Sequence, residues 1–201
     1  MRYSRVYIDA FGYELPPVVV SSEDIEERLE PMYQALRFQK GQLEALTGIR
    51  ERRFWDPGFK MCEGAVRAGL KPLRNSGVSP ADIGLLVYGG VCRDNIEPAT
   101  ACAVCDGLKL DPATQVYDVS NACLGVLNGM VQVASAIELG QIRAGLVVAS
   151  EASRDIIDLT VKRLNETKDM AFLKKNIATL TGGSGAVGVL LTDRSVAAGG
   201  H

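Results

Sequence analysis

The chain has 201 residues, 47% hydrophobic and 23% charged, which is enough apolar material for the core of one domain, or at most two. A formal net charge of -2 gives no electrostatic reason to expect a nucleic acid or an anionic membrane as partner. No apolar run reaches the ~18 residues of a membrane span, and no signal peptide is recognisable, so we expect a cytoplasmic protein without a membrane span.

The five cysteines form an odd set in a chain too large to need disulfides, so we predict reduced thiols. Cys102 and Cys105 have the spacing of a redox or zinc pair, but there is no second pair and the single histidine is the terminal His201. We therefore favour two small core residues on a helix face. No metal site and no cofactor is predicted.

The first segment, residues 2–14, alternates like a half-buried strand that ends at Pro16 and Pro17. Ser21 or Ser22 can cap a helix that continues to Leu29, and Pro31 should break or restart it.

A short helix near Gln42–Leu46 runs into the basic cluster Arg50-Glu51-Arg52-Arg53. Two interpretations of this cluster remain open: a solvated run of charges, or a contact for an anionic ligand.

Pro57 suits the first turn of a helix through Leu70 that Pro72 should kink or end. The continuous apolar run from Ile83 to Val91 predicts a central strand of a parallel sheet. A polar loop containing Glu97 follows, and Pro98 should start a helix of small residues.

Residues 114–119 form the next predicted strand, and a turn of small residues leads to Cys123, where an almost wholly apolar helix is predicted to begin and to extend to 139. A turn of this kind can expose a nucleophile at the edge of a sheet, and a helix N-terminus favours a thiolate. We expect the helix to be buried on nearly every side, with Gly125 and Gly129 allowing close approach of a backbone or an acyl group. Spacing alone leaves open whether Cys123 is a nucleophile or an inert buried thiol.

Two more buried strands are predicted at 144–150 and 186–191, separated by a charged helical segment that looks like a covering insertion at about 155–180. Strands separated by helices predict an α/β fold with a mostly parallel sheet and right-handed crossovers.

Four segments, in this order, resemble the N-terminal half of the thiolase-fold condensing enzymes, above all ketoacyl-ACP synthase III and the OleA-like acyl-CoA condensing branch. They are Thr47-Gly48-Ile49-Arg50-Glu51-Arg52-Arg53, Ile96-Glu97-Pro98-Ala99-Thr100-Ala101, Asp118-Val119-Ser120-Asn121-Ala122-Cys123-Leu124-Gly125 and Gly183-Ser184-Gly185-Ala186-Val187. The resemblance implies that residues 1–201 are one βαβαβ half of a layered αβαβα architecture.

The resemblance also implies a chemistry: Cys123 is acylated by a thioester, and Glu97 removes the α-proton of a second acyl chain in the cysteine pocket of the neighbouring subunit. Substrates would be acyl-CoA or acyl carrier protein thioesters. A helix-start acid is the other interpretation of Glu97.

The chain departs from the family pattern in three ways. The histidine and asparagine that complete the oxyanion hole belong to a second half, Leu46 stands where synthases carry a CoA-contacting arginine, and Ser184 replaces an aspartate of the synthase III pattern. A lone half would expose apolar faces, so we expect it to pair with itself or with a complementary C-terminal half, and the resemblance implies a homodimer paired through the strand at 114–119. A non-catalytic assembly partner, a thioesterase or transacylase, and a decarboxylative synthase remain alternatives.

Overall fold

A computed structural model describes residues 1–196, and His201 lies outside the described residues. The chain forms two compact units. The first, here the sheet unit, comprises residues 1–14, 58–151 and 186 onward; the second, the helical unit, comprises 15–57 and 152–185.

The strands are β1 (Tyr7–Glu14), β2 (Val18–Ser21), β3 (Glu51–Phe54), β4 (Ile83–Tyr88), β5 (Gln115–Asp118), β6 (Ala144–Glu151) and β7 (Gly185–Thr192). The α-helices are α1 (Ser22–Arg28), α2 (Glu30–Leu36), α3 (Gln42–Thr47), α4 (Met61–Ser76), α5 (Thr100–Leu108), α6 (Gly125–Glu138), α7 (Arg154–Thr167) and α8 (Met170–Asn176). No helix within residues 1–196 is both long and apolar enough to cross a bilayer.

The sheet unit is built on a five-stranded sheet in the order β1-β7-β6-β4-β5. β4 is parallel to both β5 and β6, whereas β1 is antiparallel to β7. Leu86, Val87 and Tyr88 of β4 are fully buried, as expected for a central strand covered on both faces. The predicted α/β class with a mostly parallel sheet is confirmed, and β5 lies at one edge of the sheet.

Helix α4 differs from the prediction at both ends, because it begins at Met61 and runs through Pro72 to Ser76. Pro72 cannot donate the helical hydrogen bond to the carbonyl of Ala68, four residues earlier. Gly12 of β1 lies against this turn: a Cβ there would come within 2.2 Å of the Ala68 oxygen and 2.6 Å of Pro72 Cδ. Since glycine has no side chain, β1 can pack on the turn without displacing the proline.

Helix α6 packs one face on the sheet, where Val133, Ala134 and Ile137 join a core with side chains of β4, β6 and β7. Its other face is open, with Leu127 54% exposed. The prediction of a helix buried on nearly every side is therefore wrong for this chain. A groove of about 330 Å³ follows the open face and is lined by Tyr3, Val6, Ile8, Leu127, Met130, Val131, Ala134 and Leu191.

The helical unit combines a two-stranded antiparallel sheet, β2 with β3, and the α-helices α1, α2, α3, α7 and α8. Ser21 caps α1 in a reciprocal capping box with Asp24, which confirms the predicted helix start. The predicted helical segment near 155–180 is present as α7 and α8. Its apolar side chains share a core with residues of α1, α2 and β3: Ile25, Leu29, Met32, Phe54, Ile157, Leu164 and Leu173 are among its buried members.

Arg52 belongs to β3 and is only 5% exposed, so neither interpretation of the basic cluster describes it. Its guanidinium donates to the Ser22 hydroxyl at 2.9 Å and to the Val20 carbonyl at 3.4 Å. Arg53 likewise donates to the carbonyl of Pro16 at 3.2 Å. These two arginines hold the chain segments around β2 and β3 together.

Candidate active site

Cys123 lies in a single 3₁₀ turn, Ala122–Leu124, between the end of β5 and the start of α6. Its side chain is exposed, which rules out the inert buried thiol. Ala122 has a φ of 45°, in the left-handed region that costs an L-residue roughly 1–2 kcal/mol. The α-helix begins two residues later than predicted, at Gly125. A strained turn thus presents Cys123 ahead of the helix, as in other nucleophile elbows.

The position of this turn is fixed by contact between two glycine backbones. A Cβ on Gly125 would lie 2.0 Å from the carbonyl oxygen of Gly89, and a Cβ on Gly89 would lie 2.8 Å from the carbonyl carbon of Gly125. Gly89 directly follows β4, so the first residue of α6 rests on the end of the central strand. The predicted close approach is confirmed for Gly125, and its neighbour is a backbone. A Cβ on Gly129 would instead meet valine side chains.

The other cysteines are less suited to nucleophilic chemistry or lie elsewhere. Burial, reinforced by a hydrogen bond and the charge of Asp94, raises the pKa of Cys62 to about 11. Burial also raises the pKa of Cys105. Cys102 is exposed on α5, so the prediction of two core residues is wrong for it. None of the five cysteines forms a disulfide, and residues 1–196 contain no cluster of three or more metal-ligating side chains.

Glu97 lies in the loop between β4 and α5 and is exposed, with a cis peptide bond to Pro98. The helix expected at Pro98 begins at Thr100 instead. Its first amides are already capped by Asp118, whose carboxylate accepts from Thr100 N at 3.0 Å and Ala101 N at 2.9 Å. Glu97 is therefore not the acid of this helix start.

Cys123 and Glu97 follow two neighbouring parallel strands, since β4 pairs with β5 and Tyr88 lies opposite Asp118. The carboxyl ends of parallel strands form one edge of a sheet, where ligands bind in open α/β folds. Within the described part of the chain, no hydrogen bond or ion pair joins the two side chains. The structure therefore places both residues at one edge without direct contact.

The carboxylates of Asp118 and Glu151 hold the Glu97 loop, and neither was predicted from the sequence to do so. Both lie at the carboxyl end of a strand, which was the available signal.

A second cavity, of about 260 Å³, lies within the helical unit and is lined almost entirely by apolar side chains, including Leu43, Leu46 and Leu173. Leu46, which stands where synthases carry a CoA-contacting arginine, is 66% exposed. Ser184, which replaces the aspartate of the synthase III pattern, accepts a hydrogen bond from the Ser153 amide at 3.1 Å. Cys123 lines neither this cavity nor the groove along α6.

Comparison with protein families gives a match to 3-oxoacyl-[acyl-carrier-protein (ACP)] synthase III over residues 117–199. The chain is 52% identical, over 196 residues, to an acyl-CoA:acyl-CoA alkyltransferase of Shewanella oneidensis, covering 98% of this chain and 56% of the relative. It is 36% identical over 156 residues to a beta-ketoacyl-[acyl-carrier-protein] synthase III of Koribacter versatilis, covering 78% of this chain and 44% of that protein.

Solved structures agree with the sequence matches. Xanthomonas campestris OleA with bound cerulenin superposes with a TM-score of 0.90 at 31% identity, covering 95% of this chain and 56% of OleA. OleA with lauric acid and lauroyl-CoA gives a TM-score of 0.89 over 95% of this chain and 57% of that one. The chain spans little more than half the length of these relatives. It therefore has the thiolase-like fold of these condensing enzymes, and it is similar to the N-terminal half of that fold.

Proposed function

We propose that this chain provides the nucleophile and the base of an enzyme that condenses two fatty acyl-CoA molecules into a β-keto acyl product. The observation that carries the proposal is the exposed thiol of Cys123 on a strained turn between β5 and α6. A thiolate suits this reaction because it attacks thioesters readily and also leaves readily.

In the first step, the Cys123 thiolate attacks the carbonyl carbon of one acyl-CoA. The tetrahedral intermediate collapses with breakage of the carbon–sulfur bond to CoA, which leaves as a thiolate and takes up a proton, and the acyl group remains on Cys123. The two steps use a thiolate nucleophile and a carboxylate base and involve no oxidation or reduction, so the proposed reaction needs no cofactor.

In the second step, the Glu97 carboxylate takes a proton from the α-carbon of the second acyl-CoA. The resulting enolate attacks the acyl carbon on Cys123, forming the new carbon–carbon bond and releasing the Cys123 thiolate. Glu97 would reach the cysteine pocket of a neighbouring copy and take the proton there. Its position on an exposed loop and the edge position of β5 support this arrangement. An edge strand offers unpaired backbone groups to a second chain.

Both steps place negative charge on a thioester oxygen, and donors from a second half of the fold would stabilise that charge. Loss of one such donor typically costs ~10²–10³ in rate. The open face of α6 supports the need for this half, because a groove of about 330 Å³ with Leu127 exposed is a surface that a partner domain would cover.

A second candidate is decarboxylative condensation on a carrier protein, favoured by the synthase III family match over residues 117–199. In that case the second substrate would be a malonyl thioester, and carbon dioxide would be released. Fatty acyl-CoA as second substrate is the better-supported choice, because the 52% identical relative is an acyl-CoA:acyl-CoA alkyltransferase.

The test is to incubate the chain, combined with the second half of the fold, with lauroyl-CoA and to measure the intact mass and the β-keto product. We expect a lauroyl adduct on Cys123 that Cys123→Ala abolishes and the control Cys102→Ala, another exposed cysteine, retains. Glu97→Gln should keep the adduct and lose the product.

A wild-type protein without adduct would contradict the proposed acylation. Loss of both adduct and product in Glu97→Gln would contradict the role of Glu97 as base. Product formed only with a malonyl thioester, with release of carbon dioxide, would support the second candidate.

A further inference from the structure

The loop that carries Glu97 connects β4 to α5, and its tip is open to solvent. Residues 95–98 are all exposed, and Ile96 is 86% exposed. A side chain on such a tip can act at a fixed place only if the loop is held on both sides of the tip.

The start of the loop is held by two carboxylates. Glu151, at the end of β6, accepts from the amides of Val91 at 2.6 Å and Cys92 at 3.1 Å. Asp94 accepts from Met61 N at 2.7 Å and Cys62 N at 2.8 Å at the start of α4. These bonds tie residues 91–94 to the rest of the sheet unit.

Asp118 spans the tip from one side to the other. Its carboxylate accepts from the amides of Thr100 and Ala101, after the tip, and lies 3.6 Å from Arg93 Nε, before the tip. The Asp118 side chain is only 5% exposed, so these charge-assisted contacts are sheltered from solvent.

Asp118 is also the last residue of β5, five residues before Cys123. The β4–β5 pairing continues past its end, where Val119 N donates to the carbonyl of Tyr88 at 2.8 Å. One carboxylate therefore links the segment that carries the nucleophile to both sides of the loop that carries the base.

We propose that Asp118 is a positioning residue that fixes Glu97 for proton abstraction, a role that rests on the function proposed above. Without the carboxylate, Arg93 and the first amides of α5 lose their common partner, and the tip gains freedom. A misplacement of the Glu97 carboxylate by about 1 Å can cost 10² in rate, and only the step that uses Glu97 should become slower.

The test is Asp118→Asn in the protein combined with the second half of the fold, with the two steps measured separately. Asparagine keeps the shape and one acceptor, but it loses the charge that Arg93 faces and the second carboxylate oxygen. We expect acylation of Cys123 by lauroyl-CoA to stay within about twofold of wild type and condensation to fall ~10- to 100-fold. Hydrogen exchange of residues 95–101 should become faster.

A matched control is Asp169→Asn, which changes another carboxylate that caps a helix, in the helical unit, where Asp169 accepts from Phe172 N at 2.7 Å. Because asparagine caps about as well as aspartate and only the negative charge at the helix N-terminus is lost, this variant should lower stability by at most ~1 kcal/mol without separating the two steps. A second variant, Arg93→Ala, removes the ion pair alone and should reduce condensation in the same selective way.

A merely structural role for Asp118 would lower acylation and condensation together, and that result, or unchanged condensation with unchanged exchange, would overturn the proposal. A wild-type protein that forms no adduct on Cys123 would count against the proposed function instead. The two failures are thus distinguishable.

Discussion

Replacing Gly125 by alanine tests whether the contact between two glycine backbones places Cys123. The added Cβ would lie 2.0 Å from the Gly89 carbonyl oxygen, whereas real Cβ atoms stay at least 3.0 Å from such neighbours. The start of α6 and the end of β4 must therefore separate by at least about 1 Å. Overpacking of this kind costs about 1–3 kcal/mol, and a displacement of about 1 Å at a reacting group can cost 10² in rate.

The control is Gly69→Ala in α4, where the added Cβ would meet only methyl groups of Val148, Leu108 and Leu146 at 3.2–3.3 Å. These side chains can move by a few tenths of an ångström, and alanine gains about 1 kcal/mol in helix propensity over glycine. We expect Gly69→Ala to remain within about 1 kcal/mol of wild type in stability.

Two measurements follow for each variant: urea unfolding of the chain, and the rate of Cys123 acylation by lauroyl-CoA with the second half of the fold present. Gly125→Ala should lose about 1–3 kcal/mol of unfolding free energy and ~10² in acylation rate. If Gly125→Ala acylates as fast as Gly69→Ala, the contact does not place the nucleophile and the reasoning is refuted.

Two further predictions concern groups away from the reacting atoms. Glu26 is 2% exposed and accepts from the Tyr33 hydroxyl and the amides of Gly41 and Leu43, so Glu26→Ala should cost about 3–5 kcal/mol in urea unfolding. The neighbouring Glu27→Ala, which removes only an exposed pair with Lys40, should cost at most about 1 kcal/mol, and equal losses would contradict the assignment. Burial and Asp94 raise the pKa of Cys62 to about 11, so only about 1% of this thiol is ionised at pH 9. Iodoacetamide reacts with thiolates, and it should therefore label the exposed Cys102 well before Cys62. The unfolded thiol titrates near pH 8.5 and therefore loses its proton first, so this group's contribution to stability should decline as pH rises toward 11; equal labelling of the two cysteines at pH 9 would contradict the shift.

The central strands were predictable because buried strands consist of consecutive apolar residues, and β4, β6 and β7 all overlap the apolar runs from which they were predicted. Strands β2 and β3 were not predictable in this way. Each has four residues, and β3 carries Arg52, whose burial depends on acceptors at Ser22 and Val20, about 30 residues earlier in the chain. The continuation of α4 through Pro72 similarly depends on Gly12, which only the fold brings alongside.

The same distinction applies to the site. Cys123 could be singled out because strand, turn and helix are adjacent in sequence. Asp118 could be placed at a strand end, but its role could not be predicted, because its partners include two backbone amides, Thr100 and Ala101, that lack any side-chain signal and meet it only through the pairing of β4 with β5.

The end of the β4–β5 pair also explains how one chain can serve both steps of a condensation. Beyond the paired residues, Gly89 N donates to the carbonyl of Val148 at 2.7 Å, so the segment that supports Gly125 is hydrogen-bonded to the sheet. The thiol that must hold an acyl group through the reaction therefore lies on a turn that rests on the sheet. The base lies on an exposed tip, which can reach a substrate bound elsewhere because its ends alone are fixed by Asp94, Glu151 and Asp118. Substitutions at Gly125 and Asp118 act on different segments, and so the two steps should respond to them separately.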